Sequence, residues 1–263
     1  MKAKIMAALK DIDHVFVIAS GKGGVGKTTI AVNLATSLAK RGHAVGILNA
    51  DITGPNVPKM VGLEDKRPDY DQEKKKMIPV ESIDGVKIIS MEFLLENKKD
   101  AIIWRGPLKM GAINQFLGDV NWGHLDFLVI DLPPGTSDEP LSVAQMIPRA
   151  DGVIIVTTPQ EVALLDVKKS ISFVAKVGMK VLGIIENMSG FKCPHCDEEI
   201  NIFSKDGGKK AAQELGIPFL GSIPIDPKIV PLADSGKPIV STNCDSQKIF
   251  EKIIDNLLAK IKI

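Results

Sequence analysis

Short apolar runs rich in valine and isoleucine alternate along the chain with longer segments of helical periodicity. Several of the runs are continuously apolar, which is typical of strands buried on both faces of a sheet. The strands predicted from these runs are 15–18, 44–48, 86–90, 127–130, 153–156, 181–185 and 219–223. The helices predicted between them are 27–40, 108–117, 162–177 and 207–215. This alternation predicts an α/β fold with a mostly parallel β-sheet flanked by helices on both faces.

The end of the chain, residues 250–261, is predicted to be an amphipathic helix. Packing of its apolar face against the sheet is the expected use. Glu251 and Asp255 interrupt the lysines of its polar face, which argues against binding to a membrane surface. Residues 73–76 are charged and predict an exposed loop or hairpin, whereas residues 200–203 have a strand-like pattern. Because no repeat or linker is visible, we expect one domain over residues 1–263, with a loop at about 188–203 that contains a C-x-x-C sequence.

The composition is that of an ordinary globular protein, with 44% hydrophobic and 25% charged residues. The formal net charge of +1 provides no overall attraction to nucleic acid or to anionic lipid, so neither is an expected partner. No apolar run is long enough to span a bilayer, and residues 1–13 lack the apolar core of a signal peptide. We therefore expect a cytoplasmic protein, in which three cysteines would not form a disulfide framework.

A glycine-rich segment follows the first predicted strand and matches G-x-x-x-x-G-K-[ST] in full. A helical pattern follows the segment, as this phosphate-binding motif requires. Glycines allow backbone N–H groups to point at phosphate oxygens, and the helix N-terminus adds its positive dipole. Lys27 is expected to contact the β- and γ-phosphates, and the Thr28 hydroxyl to bind Mg²⁺. The candidate nucleotide-binding residues of this loop are Gly21, Gly23, Gly24, Val25, Gly26, Lys27, Thr28 and Thr29.

The loop carries a second lysine, Lys22, and its form K-G-G-x-G-K-T-T resembles the deviant phosphate loop of the MinD, ParA and nitrogenase iron protein group. In that group the early lysine reaches across a dimer interface to the partner's nucleotide. The resemblance implies that Lys22 would neutralise charge on the transferred phosphoryl group, as an arginine finger does. It also implies a homodimer with the two nucleotides near the two-fold axis.

Two aspartates follow predicted strands and are expected to complete the nucleotide site. Asp51 comes after the second predicted strand, and Asp131 ends the fourth. Carboxylates at the carboxyl ends of parallel strands face the ligand crevice of an α/β sheet. Asp51 is expected to orient the attacking water or to hold Mg²⁺ through water, and Asp131 to bind Mg²⁺ in the same indirect way. Together with Lys22 and Lys27, Asp51 is a candidate catalytic residue.

The C-x-x-C pair Cys193 and Cys196 is a candidate metal site, because this spacing allows two thiolates to reach one metal. Zinc or a cubane cluster needs four ligands. Cys244 or a histidine would supply the rest within one chain, or the same pair from a second subunit would supply them across a two-fold axis. The dimer implied by the deviant phosphate loop favours the second route. Iron–sulfur and zinc centres share thiolate ligands, so both remain open.

Other uses of these residue types are less favoured. A thioredoxin-like role requires a C-x-x-C pair that opens a helix, and none is predicted here. Cys244 is expected to be structural or incidental, and His195 is expected to be a loop residue that binds no metal. The remaining histidines show no cluster in the sequence; they are His14, His43 and His124.

Taken in order along nearly the whole chain, the motifs closely resemble those of the Mrp/ApbC iron–sulfur carrier ATPases. The motifs that carry this resemblance are residues 21–29, residues 50–58, Trp104-Arg105-Gly106-Pro107, residues 131–138, Asn187-Met188-Ser189 and the pair Cys193 and Cys196. The order of these motifs, with the cysteine pair just after Asn-Met-Ser, is more specific than the phosphate loop alone.

The resemblance implies slow, Mg²⁺-dependent ATP hydrolysis coupled to the transfer of a cluster between an assembly scaffold and apo-proteins. A 4Fe-4S cluster would bridge Cys193 and Cys196 of both subunits. Asn187 would contact the adenine, flanked by Pro224 and Asp226 in a loop over residues 223–226. The chain departs from the family at Asn49, where an aspartate is usual, and this loss of charge would lower hydrolysis or alter metal binding. The cysteine-rich N-terminal extension of some relatives is absent, so a second cluster is not expected.

Two other functions share part of this pattern. A positioning ATPase of the ParA or MinD type would use the phosphate loop and Asp51, but has no need for Cys193 and Cys196. A nucleotide switch locked by a structural zinc would use all of these residues without transferring a cluster.

Overall fold

The computed structural model describes residues 2–51, 54–94, 106–160, 163–193, 195–196 and 198–261. The strands in these ranges are β1 (Ile12–Ser20), β2 (Val45–Asn49), β3 (Asp69–Asp71), β4 (Lys76–Ile78), β5 (Val80–Glu81), β6 (Lys87–Ser90), β7 (Leu125–Asp131), β8 (Gly152–Thr157), β9 (Val181–Lys192), β10 (Glu199–Ile200) and β11 (Phe219–Ile225). The helices are α1 (Lys2–Ala8), α2 (Lys27–Lys40), α3 (Val57–Met60), α4 (Gly106–Gly118), α5 (Asp138–Met146), α6 (Ala163–Lys176), α7 (Gly207–Leu215), α8 (Ile229–Asp234) and α9 (Asp245–Ile261).

The main sheet has the strand order β10-β9-β8-β1-β7-β2-β6-β5, and β11 also pairs with β9. The pairings among β9, β8, β1, β7, β2 and β6 are parallel, as is that of β11 with β9. The short strands β5 and β10 add to the sheet in antiparallel orientation. Strands β3 and β4 form a separate antiparallel hairpin. The mostly parallel sheet predicted from the sequence is therefore confirmed.

Side chains of β1 alternate between the two faces of the sheet, where they join different hydrophobic cores. Val15 and Val17 belong to the core that contains residues of α1, α4, α5, α6 and α7. Phe16 and Ile18 belong to the core that contains residues of α2, α3 and α9. All four are fully buried, which explains why this segment is continuously apolar rather than alternating. The predicted covering of both faces by helices is thus observed.

Strand order brings three sequence-distant segments to one edge of the sheet. Strand β7 lies between β1 and β2, so Asp131 is in register with Ile18 on one side and Asn49 on the other. The phosphate loop follows β1, and Asp51 follows β2. Because these strands are parallel, their carboxyl ends meet, and this edge positions the candidate site.

Most predicted elements are found, with differences at their boundaries. Residues 73–76 lie at the exposed turn and start of β4 in the β3–β4 hairpin, as expected. Helix α9 begins at Asp245, earlier than predicted, and its buried residues Phe250, Ile253 and Leu257 join a core as expected. The strand-like pattern at 200–203 yields only the end of β10. None of the described helices has the length and apolar character needed to cross a membrane.

Strands β9 and β11 correct two predicted boundaries. Strand β9 continues to Lys192, whereas the sequence predicts an end at residue 185. Parallel pairing with β11 continues as far as Phe191, which keeps the polar Asn187-Met188-Ser189 segment within the strand. Pro224 lies inside β11, so residues 223–225 are strand rather than the predicted loop.

Candidate nucleotide site and cysteine hairpin

The phosphate loop connects β1 to α2 and contains two glycines in the left-handed region of backbone conformation. Gly24 and Gly26 have φ angles of 77° and 82°, which side-chain-bearing residues rarely adopt. Gly26 is constrained a second time, because a Cβ atom there would lie 2.2 Å from Nδ2 of Asn187. This explains why the loop needs glycine at that position, directly before the first residue of α2.

The loop borders a cleft of about 190 Å³ at the carboxyl edge of the sheet. Backbone and side chains of the phosphate loop form one side, and Asp51 and Pro134 close the other. The predicted residues that line this cleft are Lys22, Gly23, Gly24, Val25, Gly26, Lys27, Thr28, Thr29 and Asp51. Gly21 lies beside the cleft, packed closely against the backbone of Asp166 in α6.

Asp131 contacts both functional side chains at the start of α2. Its Oδ1 atom lies 2.6 Å from Nζ of Lys27, and its Oδ2 atom accepts a hydrogen bond from the Thr28 hydroxyl at 2.8 Å. The Asp131 and Lys27 side chains are 0% and 5% exposed. Burial raises the pKa of Asp131, and the attraction of Lys27 opposes this increase. The predicted grouping of Asp131, Thr28 and Lys27 is thus present.

Asp51 lies at the edge of the same cleft and is held by the backbone around it. Its N–H donates to Oδ1 of Asn49 at 3.0 Å, and its Oδ1 atom accepts from the N–H of Gly54 at 3.2 Å. Asn49 is fully buried, and its amide nitrogen lies 3.4 Å from the Ser90 hydroxyl. The neutral Asn49 amide therefore shapes the turn that presents Asp51. Ile52 and Thr53 of this motif lie outside the described residues.

Lys22 turns back towards its own chain. Its ammonium donates to Oε1 of Gln160 at 3.1 Å and lies 3.4 Å from Oδ2 of Asp166. The Ser20 hydroxyl donates to its carbonyl oxygen at 2.9 Å. Gln160 and Asp166 belong to no recognisable motif, so they could not be identified from the sequence. They reach Lys22 because β8, which precedes both, lies next to β1.

Asn187 is buried at the carboxyl end of the β9 segment that pairs with β8, and its amide donates to the Val25 carbonyl at 2.9 Å. The neighbouring Glu186 is fully buried and was not singled out in the sequence. Its carboxylate accepts from the N–H groups of Asp206 and Gly208 at the start of α7, and from the Ser189 hydroxyl. The sequence does carry a signal for Glu186, which is an acidic residue between an apolar predicted strand and the Asn-Met-Ser segment. These contacts fix β9 between the phosphate loop and α7.

The two other residues predicted near the adenine lie at the end of β11. Pro224 is half-buried, and β11 pairs with β9 on either side of it. Asp226 accepts hydrogen bonds from the Lys228 N–H at 2.9 Å and the Ser246 hydroxyl at 2.7 Å. These bonds give Asp226 a structural part, since they join the turn before α8 to the start of α9.

The cysteine pair lies at the tip of a hairpin. Strand β9 ends at Lys192, β10 pairs with it in antiparallel orientation, and the N–H of Cys193 donates to the Glu198 carbonyl at 2.9 Å. Cys193 is half-buried and Cys196 is exposed. The pair thus lies in a loop after a strand, as predicted, but the predicted loop at about 188–203 is too long, because β9 continues to Lys192 and β10 begins at Glu199. Pro194 lies outside the described residues.

Cys244 and the histidines outside the cysteine hairpin have different kinds of contact. Cys244 contacts the Thr242 hydroxyl and the Ile239 carbonyl, in line with a structural role. The histidines at the opposite edge of the sheet do cluster, contrary to the prediction. His43 and His124 both lie within 3.6 Å of Asp126. Trp104 and Arg105 lie outside the described residues, whereas Gly106 begins α4.

A parallel sheet, a glycine loop at the carboxyl end of a central strand and a buried aspartate on the neighbouring strand together define a P-loop nucleotide-binding protein. A family model for the ParA group, described as NUBPL iron-transfer P-loop NTPase, matches residues 11–261. The chain belongs to this family.

Similar proteins agree with this assignment. An iron-sulfur cluster carrier protein of Methanocaldococcus jannaschii is 50% identical over 260 residues, which cover 99% of this chain and 89% of the relative. A cytosolic Fe-S cluster assembly factor CFD1 of Eremothecium gossypii is 47% identical over 95% of this chain and 93% of its own. A nucleotide-binding protein from Archaeoglobus fulgidus, solved in complex with ADP, is 39% identical with a TM-score of 0.83, covering 95% of this chain and 97% of that chain.

Proposed function

We propose that the chain is a homodimeric ATP-binding carrier that holds an iron–sulfur cluster, transfers it to apo-proteins and hydrolyses ATP slowly. The observation that carries the proposal is the course of β9. This one strand contacts the phosphate loop through Asn187 and ends at Lys192, directly before Cys193 in the cysteine hairpin. A nucleotide and a cluster would thus be bound at two points of a single element.

The nucleotide part rests on the chemistry of the cleft. Backbone N–H groups of the loop and Lys27 suit the phosphates of ATP. The Thr28 hydroxyl and the carboxylates of Asp51 and Asp131 are oxygen ligands of the kind that Mg²⁺ prefers, and they would hold the ion directly or through water. Bound there, Mg²⁺ would neutralise phosphate charge. Lys27 would exchange its contact with Asp131 for one with the phosphates.

Hydrolysis would need a second copy of the chain. Lys22 would leave Gln160 and Asp166 and contact the phosphates bound by the partner subunit. Asp51, presented by its turn, would orient the attacking water. Because Lys22 is already held in place within the monomer, this exchange would be unfavourable without a partner. That cost is consistent with slow turnover.

The cluster is the cargo of the proposed carrier. Two thiolates from each of two hairpins, Cys193 and Cys196, would supply the four ligands that a 4Fe-4S cluster requires. The exposed hairpin is accessible to a second copy, and three exposed apolar residues lie in its second strand and just after it. These residues are Ile200, Ile202 and Phe203. They offer apolar surface for the contact between subunits and for apo-protein recipients. The proposed carrier would act in the cytoplasm.

The test is to purify the protein without oxygen and to measure iron, acid-labile sulfide and zinc per dimer. About four irons and four sulfides per dimer, with a broad charge-transfer band, are expected from a shared cluster of this type. Transfer of the cluster to an apo-protein would then be followed by the activity that the recipient gains.

Variants of single cysteines locate the cluster. Cys193→Ser is expected to lose the iron and sulfide while ATP binding is retained, and Cys244→Ser is the matched control that retains both. Stoichiometric zinc without sulfide, persisting after anaerobic reconstitution with iron and sulfide, would contradict the carrier function and support a zinc-locked nucleotide switch. ATP-dependent pelleting with DNA or liposomes would support a positioning ATPase.

A further inference from the structure

Three side chains with metal-binding atoms meet at the amino ends of β1 and β7, at the edge opposite the phosphate loop. Asp13 lies in β1, His124 directly precedes β7, and Asp126 lies in β7. One ligand atom from each lies within 4.8 Å of the other two. The register of the two parallel strands, with Ile12 opposite Leu125, places Asp13 beside Asp126.

The distance between His124 and Asp126 suits a shared ion. Nε2 of His124 lies 3.5 Å from Oδ1 of Asp126. Two ligands of a tetrahedral ion, with bonds of about 2.1 Å, are separated by roughly 3.4 Å. The two side chains therefore hold their atoms at the spacing that one metal ion requires.

The other ring nitrogen of His124 has a partner outside the cluster. Nδ1 lies 3.2 Å from the carbonyl oxygen of Asp11. A carbonyl can only accept a hydrogen bond, so this contact places a proton on Nδ1 and leaves Nε2 as the nitrogen that would bind a metal ion. Histidines that bind metals commonly donate their second N–H to a backbone carbonyl in this way.

Asp126 is also oriented from outside the cluster. Its Oδ2 atom accepts the N–H of Ala44 at 2.7 Å and lies 3.6 Å from Nδ1 of His43. These contacts occupy Oδ2 and leave Oδ1 facing His124. The donor arrangement thus has supporting contacts on both the imidazole and the carboxylate.

From this geometry we propose that Asp13, His124 and Asp126 bind a divalent transition-metal ion of the Zn²⁺, Co²⁺ or Fe²⁺ class. One imidazole nitrogen and two carboxylate oxygens form a donor set that suits these ions, whereas Mg²⁺ prefers oxygen alone. Two carboxylates this close repel each other, and a cation removes that repulsion. Water would complete the coordination, because His124 is 64% exposed.

A histidine–aspartate ion pair without metal is the competing explanation. Such a pair at an exposed surface contributes little to stability, and it leaves the approach of Asp13 unexplained. The two explanations differ in one measurable property, which is saturable binding of metal.

The experiment uses Co²⁺, whose visible absorption reports its ligands, and the full chain carrying Cys193→Ser and Cys196→Ser. These substitutions remove the thiolates that would otherwise dominate the signal. We expect one Co²⁺ per chain by calorimetry, with visible bands that lack thiolate charge transfer. Zn²⁺ should displace the Co²⁺.

In the same background, His124→Gln and Asp13→Asn should each weaken Co²⁺ binding by at least about tenfold. His14→Gln is the matched control, since His14 lies at the same edge but contacts Asp151 at 3.1 Å. Its Co²⁺ affinity should be unchanged. Absence of saturable Co²⁺ binding, or equal affinity in all three variants, would overturn the proposal. Asp13 and His124 are exposed, so neither change should impair folding.

Discussion

Lys27 and Asp131 form a buried ion pair at the base of the phosphate loop, with 2.6 Å between Nζ and Oδ1. The Asp131 carboxylate balances the charge of the Lys27 ammonium, whose side chain is 5% exposed where it lines the cleft. Because Asp131 also accepts the hydrogen bond of Thr28, one carboxylate fixes both side chains before a nucleotide arrives. Both side chains are therefore held at the start of α2, and nucleotide binding would require Lys27 to exchange this contact for one with the phosphates.

Lys27→Ala should abolish nucleotide binding and also destabilise the fold. The substitution leaves the Asp131 carboxylate buried without its cation, which costs about 3–5 kcal/mol in comparable buried pairs. The measurements are calorimetric titration with ATP and unfolding in urea. Lys40→Ala, at the exposed end of α2, should change neither property.

The double variant Lys27→Ala/Asp131→Asn separates the two effects. It should recover part of the lost stability, because no charge is left buried, but it should not recover ATP binding. Unchanged ATP affinity in the single variant would exclude the phosphate loop as the nucleotide site.

Gly26→Ala should weaken ATP binding and lower the melting temperature more than Gly42→Ala does. Both glycines have positive φ angles, 82° and 90°, so both substitutions carry a backbone cost of about 1–2 kcal/mol. Only at Gly26 would the new Cβ collide with Asn187, since nothing lies within 4 Å at Gly42. ATP titration and thermal unfolding of the two variants measure the difference. Equal losses would show that the contact with Asn187 has no role.

Lys22→Ala should retain ATP binding and lose ATP hydrolysis. Within one chain, the Lys22 ammonium contacts Gln160 and Asp166. Its removal should therefore leave the affinity for ATP within about threefold of the wild-type value. Phosphate release under single-turnover conditions measures the hydrolysis step. Lys168→Ala, an exposed lysine of α6, is the control. Hydrolysis at the wild-type rate would remove Lys22 from the catalytic residues.

Glu186→Gln should destabilise the protein by about 1–3 kcal/mol, because the amide cannot accept all the hydrogen bonds that the buried carboxylate accepts. Urea unfolding measures the change. Glu214→Gln, on the exposed face of α7, should have no effect beyond a few tenths of a kcal/mol. A stability equal to the wild type in Glu186→Gln would mean that the start of α7 does not depend on this charge.

The features predictable from sequence are those encoded by neighbouring residues. The phosphate loop needs glycines, Lys27 and Thr28 in one short segment, and Asp131 follows directly on an apolar run. Features produced by strand order could not be predicted. Lys22 meets Gln160 and Asp166 because β8 lies beside β1, and distant histidines meet at Asp126 because β7 lies beside β2. The Asn-Met-Ser segment has the polarity of a turn, yet pairing with β11 keeps it in β9.

Strand β9 also gives the cysteine hairpin a mechanical relation to the nucleotide site. Between Asn187 and Phe191, four residue steps of β9 pair with only two steps of β11, so a bulge shortens the strand. With one further step to Lys192, the span is about 10 Å. A rotation of about 6° around the Asn187 contact would displace the hairpin tip by about 1 Å over that length. The strand would thus act as a lever that pivots at the contact between Asn187 and the phosphate loop. Small adjustments made there on nucleotide exchange would be amplified where the thiolates of two subunits have to match.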